Sequence, residues 1–218
     1  MNRKQHTSIT YFSAFVLILA LGFMGGLPLS ADNQGWINNS LSLKIDSKWG
    51  LKVTNEIRFH ELTYRDNFMT NWQAGISYKL SKKLYVAFAY KRENEQKSAF
   101  LLHENRFTLE TGWKTKLGKG WNFDARFRAE IRRYEDDLAE NHMRFRLRLR
   151  LKTKFKLGQL AIKPFVAIEP FGDTKNDEIN RYRFYIGGAI PLGKHVDWVV
   201  NYIRQGTKDK ETIHVLNT

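Results

Sequence analysis

The chain of 218 residues contains no cysteine. That excludes a disulfide framework, so stability must come from hydrogen-bonded sheet and burial. No segment shows the apolar period of an amphipathic helix. There is also no glycine-rich phosphate loop, no paired metal-ligand motif and no nucleophile elbow, so no cofactor is expected and no catalytic residue can be named. Acid is scarce: 22 Asp and Glu stand against 36 Lys and Arg, a formal charge of +14.

One long apolar run is present, Tyr11 to Leu21, preceded by Arg3 and Lys4 and followed by Leu29-Ser30-Ala31. This is the layout of a secretory signal peptide over residues 1–31, with 32–218 as a single mature domain. The alternative is an uncleaved anchor, against which the glycines and Pro28 argue. Removing Arg3 and Lys4 lowers the charge from +14 to +12. So basic a balance could suit nucleic acid, but an exported chain rarely meets any, and no nucleic-acid partner is expected.

What the sequence has in abundance is alternation. In His142 to Leu157, Met143, Phe145, Leu147, Leu149, Leu151, Phe155 and Leu157 share one parity, broken by Thr153; Arg144, Arg146, Arg148, Arg150, Lys152, Lys154 and Lys156 share the other. A strand separates these onto two faces, whereas a helix would mix them. Its length exceeds the ~5 to 6 residues of ordinary strands and suits a tilted bilayer crossing. A solvated basic edge strand is the competing explanation.

The pattern repeats along the mature chain. Further strands are expected around Ile37–Ile45, Leu51–Phe59, Phe68–Leu80, Leu84–Tyr90, Glu104–Leu117, Trp121–Arg132, Leu160–Phe171, Tyr182–Leu192, Trp198–Tyr202 and, incompletely, Thr212–Thr218. Short connections (Asp46–Gly50, Ser81–Lys83, Gly118–Gly120, Gly158–Gln159, Gly193–His195) alternate with longer polar ones (Glu61–Asn67, Glu93–Leu101, Tyr134–Asn141, Gly172–Glu178, Gln205–Glu211). Such a meander is all-β and up-and-down, and in lipid its edges must close, giving an antiparallel transmembrane barrel of about 10 to 12 strands. Pro164 and Pro170 predict a bulge or broken seam in the Leu160–Phe171 segment, because proline donates no ladder hydrogen bond.

Charge and aromatics sort by rim. Lysines crowd the short turns and acid clusters the long loops, while an aromatic girdle of Trp49, Tyr85, Trp113, Trp121 and Trp198 is expected near the short turns, with Phe59, Tyr64, Tyr90 and Tyr134 at the other rim. If the apolar face pointed inward the protein would be a soluble, lipocalin-like binding barrel. So many long strands would enclose more space than side chains fill, so the apolar face is placed outward. The lumen then holds a charge ladder of Glu56, Arg58, Glu104, Arg106, Glu110, Arg126, Arg128, Glu130, Arg132, Arg144, Arg146, Arg148 and Arg150, together with Asp124. Structural pairing or a narrow, anion-preferring pore both fit such a ladder.

The parity of the termini raises a difficulty. If every short turn is periplasmic, the first strand descends from outside although export leaves the N-terminus in the periplasm. A misassigned first turn, an N-terminal segment in the lumen, or an odd strand count with a parallel closing pair would each resolve it. A surface-facing lipid hydrolase is the enzymatic alternative, since His60, His103, His142 and His214 fall near the long-loop rim with Ser98 close in sequence to His103. No third group or oxyanion donor is identifiable by spacing. Outer-membrane lipid, lipopolysaccharide and the barrel assembly machinery are the expected partners.

Gln34-Gly35-Trp36, the strand end Glu56-Ile57-Arg58-Phe59, the basic-apolar alternation and the closing Ile213-His214-Val215-Leu216 together resemble the bacterial exported family catalogued as domain of unknown function 2490, over essentially the whole mature chain. The resemblance implies an outer-membrane barrel of a Gram-negative bacterium without an assigned activity. It supplies no catalytic residues. The chain stops at Thr218, short of that family's longer final strand, so a truncated last strand is expected.

Overall fold

Period-two segments become strands, and the order in which they pair closes a ring. The computed structural model describes residues 33–218 except Thr63, Tyr64, Lys119, Asp136, Gly158, Gln159, Asn176, Asp177 and Lys194. The expected signal peptide, the Gly158–Gln159 turn and the rim residue Tyr64 lie outside the described residues. Among those described the strands are β1 (Asn33–Lys44), β2 (Trp49–Phe59), β3 (Asn67–Lys79), β4 (Leu84–Gln96), β5 (Leu101–Gly118), β6 (Trp121–Tyr134), β7 (His142–Lys152), β8 (Phe155–Leu157), β9 (Leu160–Asp173), β10 (Glu178–Pro191), β11 (Asp197–Thr207) and β12 (Lys210–Asn217). Each of β1 to β6 pairs antiparallel with the next, β7 pairs with β9, β9 continues through β10 and β11 to β12, and β12 returns to β1.

Eleven staves thus form a closed barrel, with β8 outside the count as a short extension on β9. The closing pair is parallel: Asn33 lies opposite His214 and Trp36 opposite Asn217. An odd count requires this, because an up-and-down meander of odd number ends on a strand running the same way as its first. The odd count with a parallel closing pair is therefore found, while β1 still begins at the long-loop rim, with Gly35 opposite Phe59.

His142–Leu157 behaves as one stave with a break. β8 keeps the register in which β7 pairs with β9, since Lys152 faces Phe165 and Phe155 faces Ile162. Between them the Thr153 amide donates to the Pro164 carbonyl at 3.1 Å, but Pro164 has no amide to return the bond. The second gap in the same ladder spans Leu147 and Arg148, opposite Pro170 and Glu169. Both breaks in this seam therefore sit at prolines, as the sequence predicts.

Two expected long loops are shorter. The stretch Glu93–Leu101 loses four residues to β4, which runs on to Gln96, and Leu101 to β5, and Gln205–Glu211 shrinks to the tight turn Lys208–Asp209, with Asp209 at φ 57°. Polar runs here read as loop, but they are strand that has risen above the apolar band. At the other rim Gly118 and Gly120 take positive φ (82° and 86°), which their turn requires and side chains resist. The Asp46 carboxylate accepts the amides of Lys48 and Trp49, both at 2.7 Å, and these bonds hold its pKa below the usual carboxylate value.

Leucines and aromatics of the predicted apolar parity are turned outward, among them Leu41 (60% exposed), Trp72 (63%) and Leu109 (61%). The inward parity carries the buried ionic groups Glu93, Glu104, Arg106, Glu130, Arg144 and Glu169. This is the opposite of the lipocalin-like arrangement. Inside the barrel one small apolar cluster, Trp36, Ile203 and Val215 with Tyr185 and Ile213, packs where β1, β10, β11 and β12 meet.

Candidate functional site

Because successive inward residues on neighbouring strands stand opposite one another, the ladder predicted from sequence becomes a network across strands. Register aligns Arg106 with Arg132, Glu110 with Arg128, Arg126 with Arg148, Arg128 with Arg146 and Glu130 with Arg144, so every member of the ladder lies on the inward parity.

In the half nearer the long loops, carboxylates are thoroughly bonded. Arg106 reaches Glu104 at 2.6 Å, Glu93 at 3.3 Å and Glu130 at 3.9 Å. Arg132 donates to both oxygens of Glu104, and Lys91 pairs with Glu93. Arg146 bridges Glu130 (2.8 Å) and Glu169 (3.0 Å), and Glu169 also takes Arg126 (2.9 Å) and the Tyr185 hydroxyl. Glu56 holds Arg58 at 2.6 Å, and Arg58 lies 3.8 Å over the Trp36 ring. Toward the short turns carboxylates are fewer, and Asp197 is spent on Lys163 at the rim (2.9 Å). Glu110 pairs with Arg128, lies 3.8 Å from Arg126 and accepts the Tyr85 hydroxyl at 2.7 Å; Asp124 holds Arg150 (2.6 Å) and Lys152 (2.9 Å).

A central cavity of about 590 Å³ runs between these walls. Among the described residues that line it are ten arginines, four lysines and five glutamates. Further cavities of about 390 and 440 Å³ lie at the short-turn end, with Lys82, Lys83 and Lys114 on both.

The girdle needs one correction. Trp49, Trp113 and Trp198 are exposed, Trp121 is half-buried, and all four share the outward parity. Tyr85 faces the lumen instead, on the opposite parity from Leu84, Val86, Phe88 and Tyr90. Its ring occupies the space that a side chain at its cross-strand partner Gly112 would fill, where a Cβ would come within 2.0 Å of it. Tyr134, expected at the outer rim, is likewise inward, stacked against His142 at 6.0 Å.

The histidines are not brought together. His103 is on the outer face, its Nδ1 2.8 Å from Asn94 Oδ1, whereas His142 is inside, its Nε2 3.1 Å from Arg132. Above the band, Glu135 is paired with Arg92 and bonded by Asn105, which lowers its pKa to about 2. Sequence reasoning missed Lys91, Glu93, Glu169, Arg181 and Arg183. The first two sit in an unbroken polar run and Glu169 beside Pro170, but Arg181 and Arg183 alternate with Tyr182 and Phe184 and could have been found.

A family model described as "Protein of unknown function (DUF2490)" matches residues 33–215. The chain belongs to the DUF2490 family. The match spans every stave of the barrel, as the resemblance implied. No curated protein matches the chain. Among solved structures, the beta domain of the Bordetella autotransporter BrkA is similar over 82% of this chain and 84% of its own, with 12% identity and a TM-score of 0.50. LpxR from Salmonella typhimurium is similar over 81% of this chain and 84% of its own, with 8% identity and a TM-score of 0.48. At 12% identity the likeness of this DUF2490 member to the BrkA beta domain is one of fold.

Proposed function

We propose that this DUF2490 barrel resides in the bacterial outer membrane, delivered there by a cleaved signal peptide, and that its lumen is a narrow passage preferring anions. Outward leucines and tryptophans meet lipid and lipopolysaccharide, and the barrel assembly machinery inserts the chain. The observation that carries the passage is the excess of arginine and lysine over glutamate around the central cavity. Cations in a water-filled constriction attract anions and repel small cations. Planar-bilayer recordings of purified protein in a salt gradient are expected to give a reversal potential favouring chloride, moved toward cation preference by Lys52→Glu with Arg148→Glu. Absence of channel events, or selectivity indifferent to both substitutions, overturns the reading.

A second reading, a lipid hydrolase, is favoured by the outward His103 oriented by Asn94. Among the described residues no serine hydroxyl is bonded to that imidazole, so it lacks a nucleophile in place. Phospholipid turnover in mixed micelles that disappears in His103→Ala supports it. Turnover that persists, or none in the parent protein, removes it.

A further inference from the structure

Three arginines in the long-loop half have no carboxylate at ion-pair distance among the described residues: Arg144, Arg181 and Arg183. Arg144 is 9% exposed and Arg183 8%, and the Arg181 Nε is buried without a hydrogen-bond partner. Arg183 spends its Nε on the neutral Gln205 oxygen at 2.6 Å. The charges facing Arg181 include the guanidiniums of Arg183, Arg132, Arg58 and Arg146; those facing Arg144 include Arg132, Arg181 and Arg106, with Glu130 and the cross-strand Asp173 the acids nearby, and Glu169 lies near Arg183. Phe171 forms the floor, with Arg146, Arg183 and Arg181 at 4.6, 4.9 and 5.8 Å from its ring.

An arginine cannot shed its proton to escape this crowding. Buried like charges without a paired counter-charge are costly, so the arrangement favours an anion from solution. All three arginines line the central cavity, whose roughly 590 Å³ lies within the range of small-molecule sites. Planar guanidinium forks match phosphate and carboxylate oxygens two at a time, a geometry chloride cannot use. We propose that the long-loop half of the lumen binds a small multivalent oxyanion, a solute bearing phosphate or carboxylate groups, between Arg144, Arg181 and Arg183 above Phe171. This deepens the passage reading and rests on its water-filled lumen, but it does not require conduction from end to end.

Calorimetric titration of the full chain folded in detergent micelles tests it, with pyrophosphate and citrate as probes at constant ionic strength held by chloride. One saturable site is expected, weakened about tenfold or more by Arg144→Gln with Arg181→Gln and unaltered by Lys44→Gln at the far rim. A preference for pyrophosphate or for citrate names the oxyanion. Failure of both probes to bind, or equal affinity in the double variant, overturns the proposal. Should the double variant lose the mobility difference between unheated and boiled samples, Arg144→Lys replaces it: charge is kept and the fork lost, so weaker binding supports the site and unchanged binding removes it. Binding without channel events leaves the site and removes the passage; channel events without binding do the reverse.

Discussion

The two halves of the lumen are built by the same strands yet solve the problem of buried charge differently. Toward the long loops, Glu56, Glu93, Glu104, Glu130 and Glu169 interleave with arginines and lysine until nearly every carboxylate oxygen is taken. Toward the short turns carboxylates are sparser: Glu110 and Asp124 face Lys114, Arg128, Arg148, Arg150 and Lys152, with Asp197 paired to Lys163 at the mouth, and the cations there remain wetter, with the side chains of Arg150 27% and Lys152 34% exposed. The difference teaches that alternation sets which face a residue occupies, whereas the spacing of acids along that face decides whether the interior is braced or left open.

The comparison is broken most severely by removing the acid that joins three strands. Glu169 is 1% exposed and meets Arg126, Arg146 and Tyr185. Glu169→Ala leaves Arg146 with Glu130 alone and Arg126 with only Glu110 at 3.8 Å, two buried guanidiniums short of a carboxylate, so a loss of about 3–5 kcal/mol is expected, read as a fall in the urea midpoint of the barrel in lipid vesicles. An unchanged midpoint would mean that water already screens the braced half as it does the other.

A smaller effect belongs to the Tyr85 ring, which lines the cavity of about 390 Å³ at the short-turn end. Gly112→Val drives that ring from its place and severs its bond to Glu110, with an expected cost of about 1.5–3 kcal/mol for a hydrogen bond to a charged group. Larger single-channel conductance in the same variant would sharpen the contrast by showing that the aromatic narrows the wetter half. Asp124→Asn should cost less, about 1 kcal/mol by the same urea measurement, since Arg150 and Lys152 can turn to solvent. If it equals Glu169→Ala, the two halves are alike.

Much of this was legible in residue order. Arg144 to Lys152 alternate so strictly that face, strand and lumen follow from parity alone, and the broken seam follows from Pro164 and Pro170. The family came from short motifs in the same residues. Depth and pairing were not legible. Lys91-Arg92-Glu93-Asn94 offers no polar contrast between its faces, because the strand has left the apolar band and both sides meet polar surroundings. Tyr85 was not placed by residue type, since an aromatic suits an interface as well as a glycine gap; its parity, opposite to Leu84, Val86 and Phe88, already turns it inward, and the register with Gly112 shows the space it fills. Nor could closure be read, because a parallel pair is specified by the count of all the staves and by no local motif.

The smallest expected effect lies outside the lumen and supplies a solvated reference for both halves. Glu135 is held at about 2, against an ordinary value of 4.5, chiefly by hydrogen bonds from Arg92 and Asn105. A carboxylate whose folded pKa is depressed contributes stability that is present above the unfolded value and is lost as pH falls through the folded one, so this rim contact should weaken only between about 4.5 and about 2. A carbon-detected NMR titration of the Glu135 carboxyl is expected to show its midpoint in that acid window, moving back toward 4.5 in Arg92→Gln. Added salt should move it the same way, because the pair is open to solvent, whereas the Glu169 cluster should be indifferent to salt. Equal sensitivity of the two would erase the distinction between a braced interior and an exposed rim.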